Sequence, residues 1–144
     1  MMTREQASLV PSIVFAGRTY FTTAELGCRC DFCKGKGQLA SGFAEDLLGL
    51  RLALGFALPL SSGCRCLEHN EASGGSEGSY HIYETEVGTC AVDVSLAKWD
   101  SVKRARLVEV ALMLGWRVGV HEAFVHLDRS PVYYPEEEKK LFLY

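Results

Sequence analysis

The sequence predicts an α+β fold in a single domain, built as a small antiparallel sheet with helices packed on it. Helical patterns and short strand patterns occupy separate blocks of the 144 residues, whereas a parallel βαβ array would alternate them. Hydrophobic residues make up 48% of the chain, and a chain of this length buries roughly 70% of its unfolded surface. One hydrophobic core is therefore available, and we treat residues 1–144 as one domain.

Two segments show the apolar spacing of amphipathic helices. The first spans residues 43–55, with Ser41 as its expected N-cap. The second spans residues 101–114, with Asp100 or Ser101 as its N-cap and Gly115 just beyond its end. The apolar stripes consist of Phe43, Leu47, Leu50 and Leu54, and of Leu107, Val110, Ala111 and Leu114. A shorter helix is expected at residues 23–26.

Short strands are predicted where β-branched and aromatic residues cluster, at residues 58–61, 89–95, 116–120 and 124–128. The last of these reads FVHLD. Because successive side chains of a strand point to opposite faces, His126 and Asp128 share one face of it.

Composition excludes several classes of function. The chain carries 15 Lys and Arg against 18 Asp and Glu, a net charge of −3, and has no long basic run, which argues against nucleic-acid binding. No apolar stretch approaches the roughly 20 residues that cross a bilayer, so we expect no stable membrane insertion. The first residues lack the pattern of a signal peptide. We expect a monomer.

Three residues supply the ligand set of a catalytic zinc site. His81 follows a glycine-rich loop, whereas Asp93 and His126 lie on predicted strands. Zinc favours imidazole nitrogen and carboxylate oxygen, and a catalytic site holds three protein ligands and leaves a fourth position to water. Each residue alone is weak evidence, and the motifs around them strengthen it.

Those motifs are similar to a known family. The segment SGCRCLEHN at residues 62–70, then Gly74-Gly75, then Ser79-Tyr80-His81 resembles the SGYRxxxHN…GG…SxH signature of zinc D-Ala-D-Ala peptidases. These are the VanX-like and D-Ala-D-Ala carboxypeptidase-like enzymes, which share their fold with the hedgehog signalling domain. The later AVD and FVHLD segments are similar to the second and third ligand motifs, and FVHLD followed by SPV resembles the murein endopeptidase branch. The resemblance covers about residues 21–132.

The resemblance implies a role for each matching residue. It implies zinc ligands His81, Asp93 and His126, and an Arg65 that binds the substrate or steadies an oxyanion, as a guanidinium fork can. Ser79 would donate a hydrogen bond near the same substrate end or act as a turn residue. His69 and Asn70 would lock the glycine loop.

Two departures from the family pattern affect the site. The spacing from His81 to Asp93 is longer than usual, so residues 82–86 look like an insertion, which could form a flap with Tyr83 or Glu84 near the substrate, or a surface turn. The carboxylate that many relatives carry three residues before the last histidine is replaced by Ala123. Glu122 and Asp128 are the candidate general bases, and His121 could stabilise the transition state; Asp128 could instead orient a zinc-bound imidazole.

Six cysteines are unusual in a chain of this size. Five of them, which could hold a structural zinc, are Cys28, Cys30, Cys33, Cys64 and Cys66. Disulfides between the CRCDFC segment and residues 64–66 are the favoured interpretation, free buried thiols the second and the structural zinc the third. Cys90 is expected to be buried and inert.

The sequence therefore predicts a zinc-dependent peptidase that acts on peptidoglycan stem peptides or cross-links, or on D-Ala-D-Ala-type dipeptides. It would work in the cytoplasm or as a phage-type lytic enzyme that reaches the cell wall. The alternative is a non-catalytic zinc-binding module of the same fold, used for binding or in a virion or envelope assembly.

Overall fold

A five-stranded sheet lies at the centre of this computed structural model, which describes residues 1–137 and 140–144. Helices and strands both contribute, as the predicted α+β class requires. The elements are β1 (Ser8–Leu9), β2 (Ile13–Phe15), β3 (Arg18–Phe21), α1 (Thr23–Leu26), β4 (Lys36–Gly37), α2 (Phe43–Leu54), β5 (Leu60–Ser62), α3 (Leu67–Ala72), β6 (Ala91–Ser95), α4 (Ser101–Met113), β7 (Arg117–Val120), β8 (Phe124–Asp128), α5 (Ser130–Tyr133) and β9 (Leu141–Leu143).

The central sheet has the strand order β5-β6-β8-β7-β9. The first four strands pair antiparallel, as the sequence predicts, but β9 pairs parallel with β7. The sheet is therefore mixed and not purely antiparallel. The apolar segment Leu141–Leu143 forms this edge strand and docks onto the domain through it.

The two long helices form close to where their apolar spacing predicts. The Asp100 carboxylate caps α4 by accepting a hydrogen bond of 2.8 Å from the Lys103 amide, and Gly115 follows the helix with a φ of +84°. The N-cap of α2 is Gly42, with a φ of +87° and no side-chain cap, so the expected cap at Ser41 is wrong by one residue.

The helices cover one face of the sheet. The apolar side chains of Leu107, Val110 and Ala111 on α4 and of Val118 on β7 are buried in one cluster with Leu127 on β8. Phe43 of α2 contacts Trp116 with ring centroids 5.7 Å apart. Because side chains alternate along a strand, residues 93, 119 and 126 face the other side, away from this core.

The segments that precede and follow the central sheet contain elements that the sequence analysis does not predict. The first 37 residues form two small antiparallel ribbons, β1–β4 and β2–β3. Residues 136–140, a run of acidic and basic side chains, are expected to form a solvated turn or tail; residues 138 and 139 lie outside the described part of the chain. No described helix combines the length and the apolar character that a bilayer crossing needs.

Gly63 is a point of close approach between two segments of the chain. A Cβ atom at this position would overlap the carbonyl oxygen of Leu26 and lie 3.0 Å from that of Glu25. The amide of the next residue, Cys64, donates to the same Leu26 carbonyl at 2.8 Å. Backbone on both sides therefore leaves no space for a side chain at position 63.

We expect Gly63→Ala to lower the free energy of unfolding by about 1–3 kcal/mol, because the backbone must move to relieve the overlap. Urea unfolding measures the change. Gly49→Ala is the matched control, since Gly49 lies within α2 and a Cβ there meets nothing within 4 Å. That substitution should raise stability by up to about 1 kcal/mol. Equal stability of the Gly63→Ala chain and the unaltered chain would contradict the prediction.

Candidate metal centre

Three polar side chains meet on the sheet face opposite the helices. Asp93 of β6 and His126 of β8 are direct cross-strand neighbours. His81 comes from the loop before β6, where its carbonyl oxygen accepts hydrogen bonds from the Arg65 amide at 2.8 Å and the Thr89 hydroxyl at 2.7 Å. Sheet register thus positions two of the residues, and backbone contacts position the third.

The ligand atoms of these residues are within bonding range of one metal ion. Oδ1 of Asp93 lies 3.1 Å from Nε2 of His81 and 3.0 Å from Nδ1 of His126. The three residues are only 2%, 6% and 6% exposed. A tetrahedral zinc with bonds of about 2.0–2.1 Å keeps its ligands about 3.4 Å apart, close to these separations.

Hydrogen bonds on the outer side of each imidazole decide which nitrogen carries a lone pair. Nδ1 of His81 lies 2.8 Å from the Gly63 carbonyl oxygen, and Nε2 of His126 lies 2.7 Å from Oδ2 of Asp128. Both oxygens can only accept, so these outer nitrogens donate. In the neutral imidazoles the inner nitrogens then present lone pairs to the Asp93 carboxylate. A cation between these three facing acceptors would satisfy all of them, which is the condition that a metal ion meets.

The ionisation of the three groups reflects the same arrangement. Burial alone would raise the pKa of Asp93, but its close contacts with the His126 and His81 rings outweigh burial and lower the pKa well below its usual range. Burial lowers the pKa of His81. Burial also opposes protonation of His126, yet its bonds to Asp128 and Asp93 raise its pKa. The carboxylate is thus held in its charged form, as a metal ligand must be.

The three residues lie at the floor of a cleft of about 440 Å³, whose other lining includes the glycine-rich loop at residues 73–79. Arg65 forms part of the wall. Its guanidinium donates to Ser62 Oγ at 3.0 Å, to Asn70 Oδ1 at 3.3 Å and to Asp93 Oδ2 at 3.1 Å. Asn70 in turn donates to the Ser76 carbonyl at 2.9 Å, so it holds the loop as the sequence predicts. Ser79 lines the cleft and accepts from the His81 amide at 3.2 Å.

Arg117, Phe142 and Tyr144 also line the cleft, and the sequence analysis assigned no site role to any of them. The Arg117 guanidinium lies 4.4 Å from the centre of the Phe142 ring and donates from Nε to Asp128 at 3.0 Å. The RVGV segment carried a signal, since alternation places Arg117 and Gly119 on one face, and pairing with FVHLD puts them opposite Asp128 and His126. The two aromatic residues had no such signal.

Glu122 and His121 lie outside the cleft lining. Glu122 is exposed, and its backbone carbonyl accepts from Arg104 at 3.1 Å. His121 stacks on Phe124 with ring centroids 4.6 Å apart, and its Nδ1 accepts from the Ala123 amide at 3.0 Å. Glu122 precedes the first residue of β8, Phe124, so it is not part of the strand that carries His126.

Asp128 lies beside the site but is fully buried. Its Oδ2 contacts both His126 Nε2 and Arg117 Nε, and its Oδ1 accepts from the Ser130 amide at 3.0 Å. Burial alone would raise its pKa, but the His126 hydrogen bond and charge lower it. Of the two roles that the sequence left open, this geometry matches the orientation of the His126 ring.

The inserted residues 82–86 point away from the cleft. Tyr83 is fully buried, and its hydroxyl lies 3.2 Å from Cys33 Sγ. It therefore has a structural contact and not the expected contact with substrate. Glu84 accepts from the Leu67 amide at 2.9 Å and from the Arg4 amide at 3.3 Å. The insertion therefore packs against the N-terminal segment and α3 and forms no flap.

Comparison with protein families agrees with this arrangement. The family model described as peptidase M15 matches residues 19–128, about three quarters of the chain. The chain belongs to the peptidase M15 family. No curated protein and no solved structure gives a significant match. Membership supports a zinc-binding metallopeptidase, that is, a hydrolase of peptide bonds, and the facing donors of His81, Asp93 and His126 fit the metal that this family is expected to hold.

We expect His81→Ala and His126→Ala each to lose one equivalent of zinc per chain, because two remaining donors bind the ion too weakly. Asp128→Asn should keep the ligand but weaken zinc affinity about 10–100-fold, since His126 loses the carboxylate that orients it. Elemental analysis and competition with a chromophoric chelator measure the two effects.

His69→Ala is the control for these variants. His69 lies on α3, outside both the donor cluster and the cleft lining, so its removal should leave the zinc content unchanged. Full zinc retention in the folded His81→Ala and His126→Ala chains would overturn the ligand assignment.

Proposed function

We propose that this M15 chain is a zinc-dependent peptidase that hydrolyses peptidoglycan stem peptides or cross-links, or D-Ala-D-Ala-type dipeptides. The observation that carries the proposal is the set of three buried donors, His81, Asp93 and His126, which face one another at the floor of an open cleft. A site with three protein ligands and an open side is the catalytic form of zinc coordination.

The chemistry of the site divides between the ion and the chain. Zinc bound here would lower the pKa of a water molecule towards ~7 and polarise a carbonyl group. Arg65 uses three of its five N–H groups on described residues, which leaves two for a substrate carboxylate or a developing oxyanion. Its bonds to Ser62 and Asn70 fix the guanidinium before substrate arrives.

Arg117 is the second cation of the cleft and is well suited to a substrate carboxylate. Among described residues its guanidinium donates one N–H to Asp128, and its Cζ lies over the rings of Phe142 and Tyr80, at 4.4 and 5.5 Å from their centres. Stacking of this kind holds the fork in place while leaving its edge for a planar anion. Peptides with a free terminal carboxylate, such as stem peptides, match this chemistry.

Asp128 acts in this proposal as a positioning residue. Both of its oxygens are engaged and it is fully buried, so it holds the His126 ring and the Arg117 fork and does not take part in proton transfer. One carboxylate thus fixes a metal ligand and a substrate-binding group together.

Binding without hydrolysis is the second candidate function. Within the described lining of the cleft, Asp93 is the one side-chain carboxylate, and its oxygens already face two imidazoles and Arg65. Hydrolysis by an activated water needs a group that accepts a proton within reach. This observation favours a zinc-containing module that binds cell-wall peptides and leaves them intact.

Digestion of purified muropeptides and of D-Ala-D-Ala, followed by mass spectrometry, separates the two functions. We expect zinc-dependent cleavage at one type of peptide bond, because the ion and Arg65 together stabilise the charge that develops on the scissile carbonyl. His126→Ala should reduce the rate at least 100-fold.

Glu122→Gln should cleave at the rate of the unaltered chain, since its exposed carboxylate lies outside the cleft lining. A fully zinc-loaded chain that binds muropeptides and releases no product would support the binding module. Loss of activity in Glu122→Gln would show that this carboxylate serves the reaction.

Arg117→Lys tests recognition of a substrate carboxylate. The variant keeps the positive charge but loses the paired N–H groups, so kcat/KM for a peptide with a free carboxyl terminus should fall about 10–100-fold, the value of one or two charged hydrogen bonds. A peptide amidated at the same terminus is the matched control and should lose less than threefold. Equal losses on both peptides would show that Arg117 acts elsewhere than on the carboxylate.

A further inference from the structure

Four cysteine sulfurs converge at a second place in the fold, outside the lining of the peptidase cleft. Cys28, Cys30 and Cys33 follow α1, and Cys66 is the N-cap residue of α3. Their Sγ atoms all lie within 4.8 Å of one another, and Cys30 Sγ lies 3.7 Å from that of Cys28 and 3.9 Å from that of Cys66. No disulfide joins any of the six cysteines in this structure.

These separations are those of a tetrahedral metal site. Zinc–sulfur bonds of about 2.3 Å at tetrahedral angles hold the sulfurs about 3.8 Å apart. A disulfide would instead hold two of the sulfurs about 2.05 Å apart. It would not fix the distance from that pair to the other two sulfurs. The cluster thus has the number of donors and the spacing of a closed, structural zinc site.

Hydrogen-bond donors point at the sulfurs, as they do around metal-bound thiolates. The Cys66 amide donates to Cys28 Sγ and the Cys33 amide to Cys30 Sγ, both at 3.4 Å. The His69 amide donates to Cys66 Sγ at 3.3 Å. Three of the four sulfurs therefore each accept from a backbone N–H, which stabilises negative charge on them.

Two further side chains lie where they can stabilise the fourth sulfur and the negative charge of the cluster. The Tyr83 hydroxyl lies 3.2 Å from Cys33 Sγ, in a fully buried position where it can donate to a thiolate. The Arg4 guanidinium donates to Cys66 Sγ at 3.7 Å. Four thiolates around one Zn²⁺ carry a net charge of −2, which a neighbouring guanidinium partly offsets.

We propose that Cys28, Cys30, Cys33 and Cys66 bind a second, structural zinc ion. Cys64, which the sequence analysis counted among five possible thiols, is not a member; it is buried against Gly37, outside the cluster. The ion would tie the loop after α1 to the start of α3, one residue beyond Arg65. It would stiffen the cleft wall that carries Arg65 and Asn70, and it would have no open position for water.

The experiment uses the full chain, purified with a reductant and without chelator. Elemental analysis should find two zinc ions per unaltered chain and one per His81→Ala/His126→Ala chain. X-ray absorption at the zinc edge of that double variant should report four sulfur neighbours at about 2.3 Å. This readout needs no cysteine substitution, so a variant that fails to fold does not obscure it.

Cysteine variants add a matched comparison. Cys30→Ser should lose one zinc and keep the one at His81, Asp93 and His126, whereas Cys64→Ala should keep both. Where Cys30→Ser does not fold, cobalt substitution of the unaltered chain should give the thiolate-to-metal charge-transfer band of a four-sulfur site.

Three outcomes would overturn the proposal: one zinc per unaltered chain, nitrogen or oxygen neighbours alone in the double variant, or, in a parallel preparation purified without reductant, a chain mass reduced by two hydrogens per disulfide. These outcomes are separate from a failure of the proposed function, because peptide cleavage depends on the other zinc.

Discussion

The pairing of β6 with β8 is the constraint on which the site depends. Asp93 faces His126 across this pair, and both lie on the face opposite the helices. A slip of one residue would turn them into the apolar core, so burial of Val92, Val94, Val125 and Leu127 fixes the register and with it the position of two metal ligands. The apolar core residues and the metal ligands occupy opposite faces of the same strands. For this reason the short segments AVD and FVHLD carry structural and functional information together.

His81 lies on no strand and is held by the segment around Arg65 instead. The Gly63 carbonyl fixes its ring, and the Arg65 amide binds its carbonyl oxygen. The same segment packs against Leu26 and continues into Cys66, which reaches the sulfurs of the loop after α1. The position of His81 thus depends on contacts with this segment and not on the register of the sheet.

Local patterns predicted a large part of this arrangement. The helices at 43–54 and 101–113, the strand FVHLD and the ligand candidates could be found because each depends on neighbours within a few residues. Arg117, Phe142 and Tyr144 could not be placed in the cleft in that way. Arg117 gains its role from the strand beside it, and the aromatic pair arrives through a parallel contact of β9 with β7. Spacing alone suggested Tyr83 and Glu122 as site residues. The insertion carries Tyr83 away from the cleft, and Glu122 lies outside the cleft because it precedes β8.

The charges in the cleft explain why two arginines lie so near a metal site. Arg65 pairs with Asp93 at 3.1 Å and Arg117 with Asp128 at 3.0 Å, so Asp93 is shared between a guanidinium and two imidazoles and Asp128 between a guanidinium and one imidazole. The two pairs are neutral in sum, and a bound Zn²⁺ would make the cleft floor positive. A substrate carboxylate would then meet two guanidinium groups whose own partners are already drawn towards the metal or its ligand. If the cleft binds an anionic peptide as proposed, metal binding and recognition of that peptide would be coupled through Asp93 and Asp128, and each would strengthen the other by the same free energy.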